Sequence, residues 1–158
     1  MSIIYKTKEG VEVYSNKNTV HDFEYTMYGL YTGIKWQCVE FARRFLIQVK
    51  GVTFDSIPNA YQIFDLPYFK NLIGTNIDIE KYKNGSYYPP KKHSLLIWKS
   101  NTSNKYGHVA VVTDIGTDWI EITQQNEDNP VRILPIELYY GYPIYFIREP
   151  YLLGWINL

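Results

Sequence analysis

Apolar residues recur at helical spacing after Cys38. Phe41, Ala42, Phe45, Leu46 and Val49 share one face, and Glu40, Arg43, Arg44, Gln48 and Lys50 take the other. The pattern predicts an amphipathic helix that starts at Cys38 and is closed by Gly51 as a C′ residue. A second helix is expected after Asp55 or Ser56, either of which can cap it, with Pro58 in its first turn and Pro67 at its end. Gly10–Tyr14 alternates like a short strand and residues 15–18 read as the turn after it, whereas residues 19–32 show no period. Residues 67–90 read mostly as loop, turning at Asn84-Gly85 and Pro89-Pro90. The second half is β-rich: Ser94–Trp98, a hairpin of Val109–Thr113 and Trp119–Gln125 around Gly116, and extended segments near Ile144–Arg148 and Leu153–Leu158. Helices before an antiparallel sheet predict an α+β fold, with the N-terminal helices packed on one face of the sheet.

The single cysteine is the first candidate for chemistry. At the start of a helix, unpaired N–H groups and the positive end of the macrodipole favour thiolate, the nucleophilic form. A lone cysteine on a helix also serves as a small buried hydrophobe, so a partner base decides between the two. His108 opens the first hairpin strand. If the hairpin loop is odd and centred on Gly116, Val112 faces Ile120, Ala110 faces Ile122 and His108 faces Gln124, which gives one continuous apolar face. Gln124 then lies across from the imidazole and can orient it, completing nucleophile, base and orienter. His21 has no metal-ligand spacing to another histidine or to cysteine and reads as a surface residue.

Charge and composition exclude several classes. Sixteen basic and sixteen acidic residues leave no net charge, so no overall field draws the chain to nucleic acid or an anionic membrane. One cysteine excludes an intrachain disulfide and fits a reducing compartment. The N-terminus lacks an uninterrupted apolar core and no run is long enough to span a bilayer, so a cytoplasmic protein is expected. There is no HExxH or CxxC spacing and no glycine-rich phosphate loop, so neither a metal nor a nucleotide cofactor is expected. At 158 residues the chain is expected to form a single domain, 1–158. Its sixteen tyrosines are scattered rather than periodic.

Several segments, taken in order, carry a resemblance: Lys35-Trp-Gln-Cys-Val-Glu-Phe-Ala-Arg-Arg44, Gly51-Val-Thr-Phe54, Asn84-Gly-Ser86, Leu95-Leu-Ile-Trp98, Gly107-His-Val-Ala110, Gln125-Asn126 and Leu153-Gly-Trp-Ile156. Together they resemble the amidase domain of glutathionylspermidine synthetase/amidase, a member of the cysteine, histidine-dependent amidohydrolase/peptidase (CHAP) superfamily. The resemblance implies a papain-like core and hydrolysis of the amide between glutathione and spermidine, a small-molecule glutathione–polyamine conjugate. It implies Cys38 as nucleophile, His108 as general base and then acid, and Arg43 and Asn126 as contacts to the glutathione moiety. The Cys38 N–H, helped by Gln37, would stabilise the oxyanion, as suits a helix start. Arg43 and Arg44 also have the i,i+3 and i,i+4 spacing from Glu40 of ordinary surface ion pairs.

Two features depart from that family. It has a glutamate where this chain has Gln124, so the imidazolium lacks a negative partner there and a slower enzyme, or one with a shifted pH optimum, is expected. The chain also leaves no room for an ATP-grasp synthetase domain, so the amidase is expected to stand alone. A peptidoglycan-cleaving hydrolase of the same superfamily and a catalytically weak binding domain are the alternatives.

Overall fold

In the computed structural model, residues 2–17, 23–139 and 141–158 are described; His21 lies outside them. Two hairpins come first, β1 (Ile3–Lys6) with β2 (Glu12–Tyr14), and β3 (Glu24–Met27) with β4 (Leu30–Ile34). Helix α1 (Cys38–Lys50) follows and ends at Gly51, whose φ of 63° is left-handed and whose N–H donates to the Ile47 carbonyl. Next come β5 (Val52–Thr53), β6 (Phe69–Asn71) and β7 (Asn76–Ile77), a small three-stranded sheet, with a 3₁₀ helix (Ala60–Asp65) between β5 and β6. The rest of the chain is strand: β8 (Glu80–Lys83), β9 (Leu95–Trp98), β10 (His108–Ile115), β11 (Trp119–Thr123), β12 (Val131–Tyr139), β13 (Ile144–Ile147) and β14 (Leu152–Asn157).

These last seven strands form one antiparallel sheet in the order β13-β12-β11-β10-β9-β14-β8. It curls until its two edges meet. Just past β8, the Asn84 side chain exchanges hydrogen bonds with the backbone of Ile147 (2.8 and 2.9 Å), and Ser86 bridges Tyr145. An amide side chain here takes the place of a strand's backbone, leaving less of either edge unpaired.

Alternation along β9 and β10 feeds two cores. Leu96, Trp98, Ala110 and Val112 pack inside the curl with Ile120, Ile122, Leu134 and Trp155. Leu95, Ile97, Val109 and Val111 face outward and are covered by Phe41, Phe45 and Leu46 of α1. A thirteen-residue helix is marginal alone; burial of each large apolar side chain contributes about 1.5–3 kcal/mol and fixes α1 on the sheet.

Four expectations change. The chain is mostly β, and α1 is the one α-helix among the described residues, preceded by hairpins, so the expected N-terminal helical layer reduces to α1 and a 3₁₀ turn. That turn is capped by Asn59, not Asp55 or Ser56: Gln62 Oε1 accepts from the Asn59 N–H at 2.9 Å in a capping box. Residues 19–32 contain β3 and the start of β4, and residues 67–90 contain β6–β8. The β10/β11 register also differs from that expected: Ile115 pairs with Ile120 and Val112 with Ile122, with a bulge between Val112 and Asp114. The bulge absorbs one residue, so a tight even turn still leaves Ala110, Val112, Ile120 and Ile122 on one face, two positions offset from the expected pairing.

Candidate active site

Cys38 is brought to the start of β10, at one end of the sheet's middle strand, by a close approach of β4 to α1. At Gly33, where φ is 145°, an added β-carbon would sit 2.9 Å from the Glu40 Cα, so only glycine admits this packing. Gly107 plays the corresponding part before His108: its φ is 69° and a β-carbon there would meet the Trp98 carbonyl at 2.5 Å. His108 is thereby fixed as the first residue of β10, buried against the Trp98 ring at 5.2 Å between centroids. Trp36, just ahead of Cys38, is buried between Tyr14 and Tyr25.

The imidazole is held from both sides. His108 Nε2 lies 2.9 Å from Gln124 Oε1, while Gln124 Nε2 donates to the Asn129 carbonyl at 2.8 Å. That carbonyl only accepts, so the amide oxygen faces the ring and Nε2 carries the hydrogen. Nδ1 is left for Cys38. The shifted register makes Gln124 a diagonal rather than a direct neighbour of His108, a separation that two long side chains span.

Cys38 is half-buried. Burial pushes its thiol up, but a hydrogen bond from His108, the charge of that ring, and the N–H groups of Val109 and Val39 together hold it below the ordinary thiol value. Burial likewise pushes His108 down, yet the hydrogen bond and charge of Cys38, the nearby Glu127 carboxylate and the Gln124 bond raise it above the ordinary imidazole value. Both directions favour a thiolate–imidazolium pair.

Behind this pair lies a second polar cluster. Glu40 is fully buried: its Oε2 accepts from Arg44 Nε (2.9 Å) and Thr32 Oγ1 (2.7 Å), its Oε1 from Arg44 Nη2 (3.1 Å) and Gln125 Nε2 (3.0 Å). Gln125 also donates to the Gln37 carbonyl (2.9 Å) and accepts from the Tyr14 N–H (3.0 Å), bolting the end of β11 to the start of α1. Arg43 is buried as well. Its guanidinium donates to the carbonyls of Thr32 (2.6 Å), Phe54 (3.1 Å) and Asp55 (3.3 Å), and burial lowers its pKa to about 10. The surface ion-pair reading of Glu40, Arg43 and Arg44 is therefore overturned: the β1–β4 hairpins and residues 52–55 cover what periodicity assigned to solvent.

Asn126, at φ 65°, accepts from Asn16 Nδ2 (2.7 Å) and donates from Nδ2 to Gln37 Oε1 (2.9 Å), while Asn16 Oδ1 accepts the Trp36 N–H (2.8 Å). The Gln37 amide is thus oriented from its oxygen end. A cleft of about 600 Å³ opens over Cys38 and His108, lined also by Gln37, Arg43, Tyr106 and Glu127, a size typical of small-molecule sites. All six residues singled out from sequence, Gln37, Cys38, Arg43, His108, Gln124 and Asn126, meet here or directly behind. Gln125, Glu40, Asn16 and Glu127 were missed as site residues; the tandem Gln124-Gln125-Asn126 at a strand end was the one available signal.

The family model of the CHAP domain matches residues 29–126, which contain all six. The bifunctional glutathionylspermidine synthetase/amidase of Escherichia coli (strain K12) is 41% identical over 98 residues, 61% of this chain and 16% of that protein. Trypanothione synthetase of Crithidia fasciculata is 35% identical over 98 residues, 61% of this chain and 15% of that protein, and the glutathionylspermidine synthase of the same organism 29% over 140 residues, 80% and 19%. Each match thus spans less than a fifth of the relative. Among the described residues no helix is long and apolar enough to cross a membrane. With well over half of its length inside the match and the site within it, the chain belongs to the CHAP domain family and is related to the amidase-bearing glutathionylspermidine enzymes.

Proposed function

We propose that residues 1–158 form a cysteine-dependent amidase on a papain-like core, hydrolysing the amide of a glutathione–polyamine conjugate such as glutathionylspermidine. The observation that carries the chemistry is the line Cys38, His108, Gln124, with Cys38 and His108 lining an open cleft and Gln124 buried behind them; the substrate class rests on the likeness to relatives named for glutathionylspermidine. The Cys38 thiolate attacks the glycyl carbonyl carbon, and the negative charge moves to the carbonyl oxygen. The Cys38 N–H at the start of α1 and the Gln37 side chain stabilise that oxyanion. His108 delivers its Nδ1 proton to the departing nitrogen, the C–N bond breaks and the free amine leaves a thioester on Cys38. Water, losing a proton to His108, then attacks the thioester; the C–S bond breaks, giving free glutathione and restoring the pair.

Gln124 holds the ring's tautomer without a charge, so the imidazolium draws its electrostatic support from the thiolate and from the cleft side. Arg43 lines the glutathione side of the cleft while bracing residues 54–55, and Asn126 acts through Gln37. A reducing compartment suits a single free thiol.

The test is release of glutathione from glutathionylspermidine across pH 5–9, with Cys38→Ala as control. Release by the wild type alone supports the reading. Absence of release with rapid iodoacetamide labelling of Cys38 sends the search to other amides, and absence of both removes the nucleophile.

A further inference from the structure

We propose that Glu127 makes the leaving-group side of the cleft selective for cations, so that the preferred amides are those whose departing amine carries a second positive charge. The inference rests on the amidase reading for its substrate, but on geometry for its site. Glu127 Oε1 lies 3.6 Å from His108 Nδ1, and the carboxylate is 42% exposed. Nδ1 is the ring nitrogen that Gln124 leaves over, so it faces Cys38 and carries the proton that the leaving nitrogen receives.

A departing amine must therefore come within hydrogen-bond reach of Nδ1, and its substituents pass beside the Glu127 carboxylate. An ammonium a few methylenes along such an amine is within ion-pair reach. Apart from the Cys38–His108 pair, the charged side chains lining the cleft among the described residues are Arg43 and Glu127. Arg43 lies five residues along α1 from the nucleophile with its guanidinium turned to three backbone carbonyls, so it does not neutralise the carboxylate at Nδ1. With Gln124 neutral, Glu127 is the carboxylate beside the imidazole, placed where solvent and substrate reach it.

Charged thiol reagents read this field without relying on any substrate. Cys38 would be modified with trimethylammonioethyl and with sulfonatoethyl methanethiosulfonate, in wild type, Glu127→Gln and Glu127→Asp. The expected result is a cation-to-anion rate ratio that falls by up to about 25-fold in Glu127→Gln, about fivefold for each reagent in opposite directions, the scale for unit charges a few ångströms apart in high dielectric; the ratio is kept in Glu127→Asp and shrinks at high salt. Equal slowing of both reagents would mean that Glu127 acts only through His108, and no change would remove its role; either overturns the proposal. In parallel, whatever loss both amides share through His108, kcat/KM for glutathionylspermidine should fall several-fold more in Glu127→Gln than that for the uncharged butylamide of glutathione, and an equal fall for the two would overturn the proposal. If the wild type cleaves neither amide, the amidase reading fails while the reagent ratio still decides Glu127.

Discussion

The first turn of α1 has a back and a front, and each sets a carboxylate beside a cation. At the back, Glu40 and Arg44 are both essentially inaccessible, and every oxygen of the carboxylate is taken by Arg44, Thr32 or Gln125. At the front, Glu127 stands 3.6 Å from a buried histidine, with nearly half its side chain in solvent. The back pair is a clamp, because two desolvated charges with all their hydrogen bonds made have no other arrangement of comparable energy. The front pair is loose, so substrate can compete for it. A site of this kind needs both: a nucleophile held still from behind and charges in front that remain available.

Breaking the clamp should have the largest effect. Arg44→Leu leaves Glu40 buried without its cation and should cost about 3–5 kcal/mol in denaturant unfolding, with activity lost through unfolding rather than chemistry. Adding Glu40→Leu to that variant should recover a substantial part of the loss, since replacing a buried pair by apolar groups removes the stranded charge. If the double variant is no more stable than Arg44→Leu, the carboxylate is not the origin of the cost.

Gln124→Glu sharpens the comparison by giving the front a second carboxylate, buried behind the imidazole. A carboxylate at this position raises His108 further above the ordinary imidazole value. The pair is reactive between deprotonation of Cys38 and deprotonation of His108, so the alkaline limb of the kcat/KM profile should move to higher pH while the acid limb moves little. The same change removes the Nε2 donor to the Asn129 carbonyl and sets an oxygen against an oxygen, which should cost about 1–3 kcal/mol of stability. An unchanged pH profile would show that position 124 orients the ring but does not tune it.

The parts legible in the sequence are those whose signal is local. Periodicity after Cys38, and Gly51 at its end, gave α1; His108 stood out as a candidate only once the hairpin register set Gln124 beside it. The β3–β4 hairpin was hidden because its turn is built on Tyr28-Gly29, with φ of 54° and 73°, rather than on an Asn-Gly pair, and its strands are half exposed. β12 was hidden because Pro135 interrupts it and neither face is uniformly apolar. Glu40 and Arg44 were misread for a different reason: i,i+4 spacing is the same whether the pair is in water or beneath two hairpins, and only tertiary structure decides. Glu127 sits in an acidic, asparagine-rich turn with no periodic signature. Gln124 was reached through a hairpin register two positions off, which still gave the right partner because long side chains cover the diagonal.

Asn126 gives the smallest effect, and the one that separates two roles most cleanly. Read from resemblance it contacts the glutathione moiety, whereas in the structure its side chain lies between Asn16 and Gln37 at 2.7 and 2.9 Å. Asn126→Gly removes the side chain without asking a β-carbon to hold the left-handed backbone at φ 65°. If Asn126 positions Gln37, one lost hydrogen bond loosens an oxyanion donor, a group that acts only in the transition state. Then kcat should fall by about fivefold, the equivalent of roughly 1 kcal/mol, with KM little changed. If instead the side chain turns to bind glutathione, KM should rise while kcat holds. Steady-state kinetics on glutathionylspermidine distinguishes the two, and a rise in KM alone would return Asn126 to the front of the site as a substrate contact.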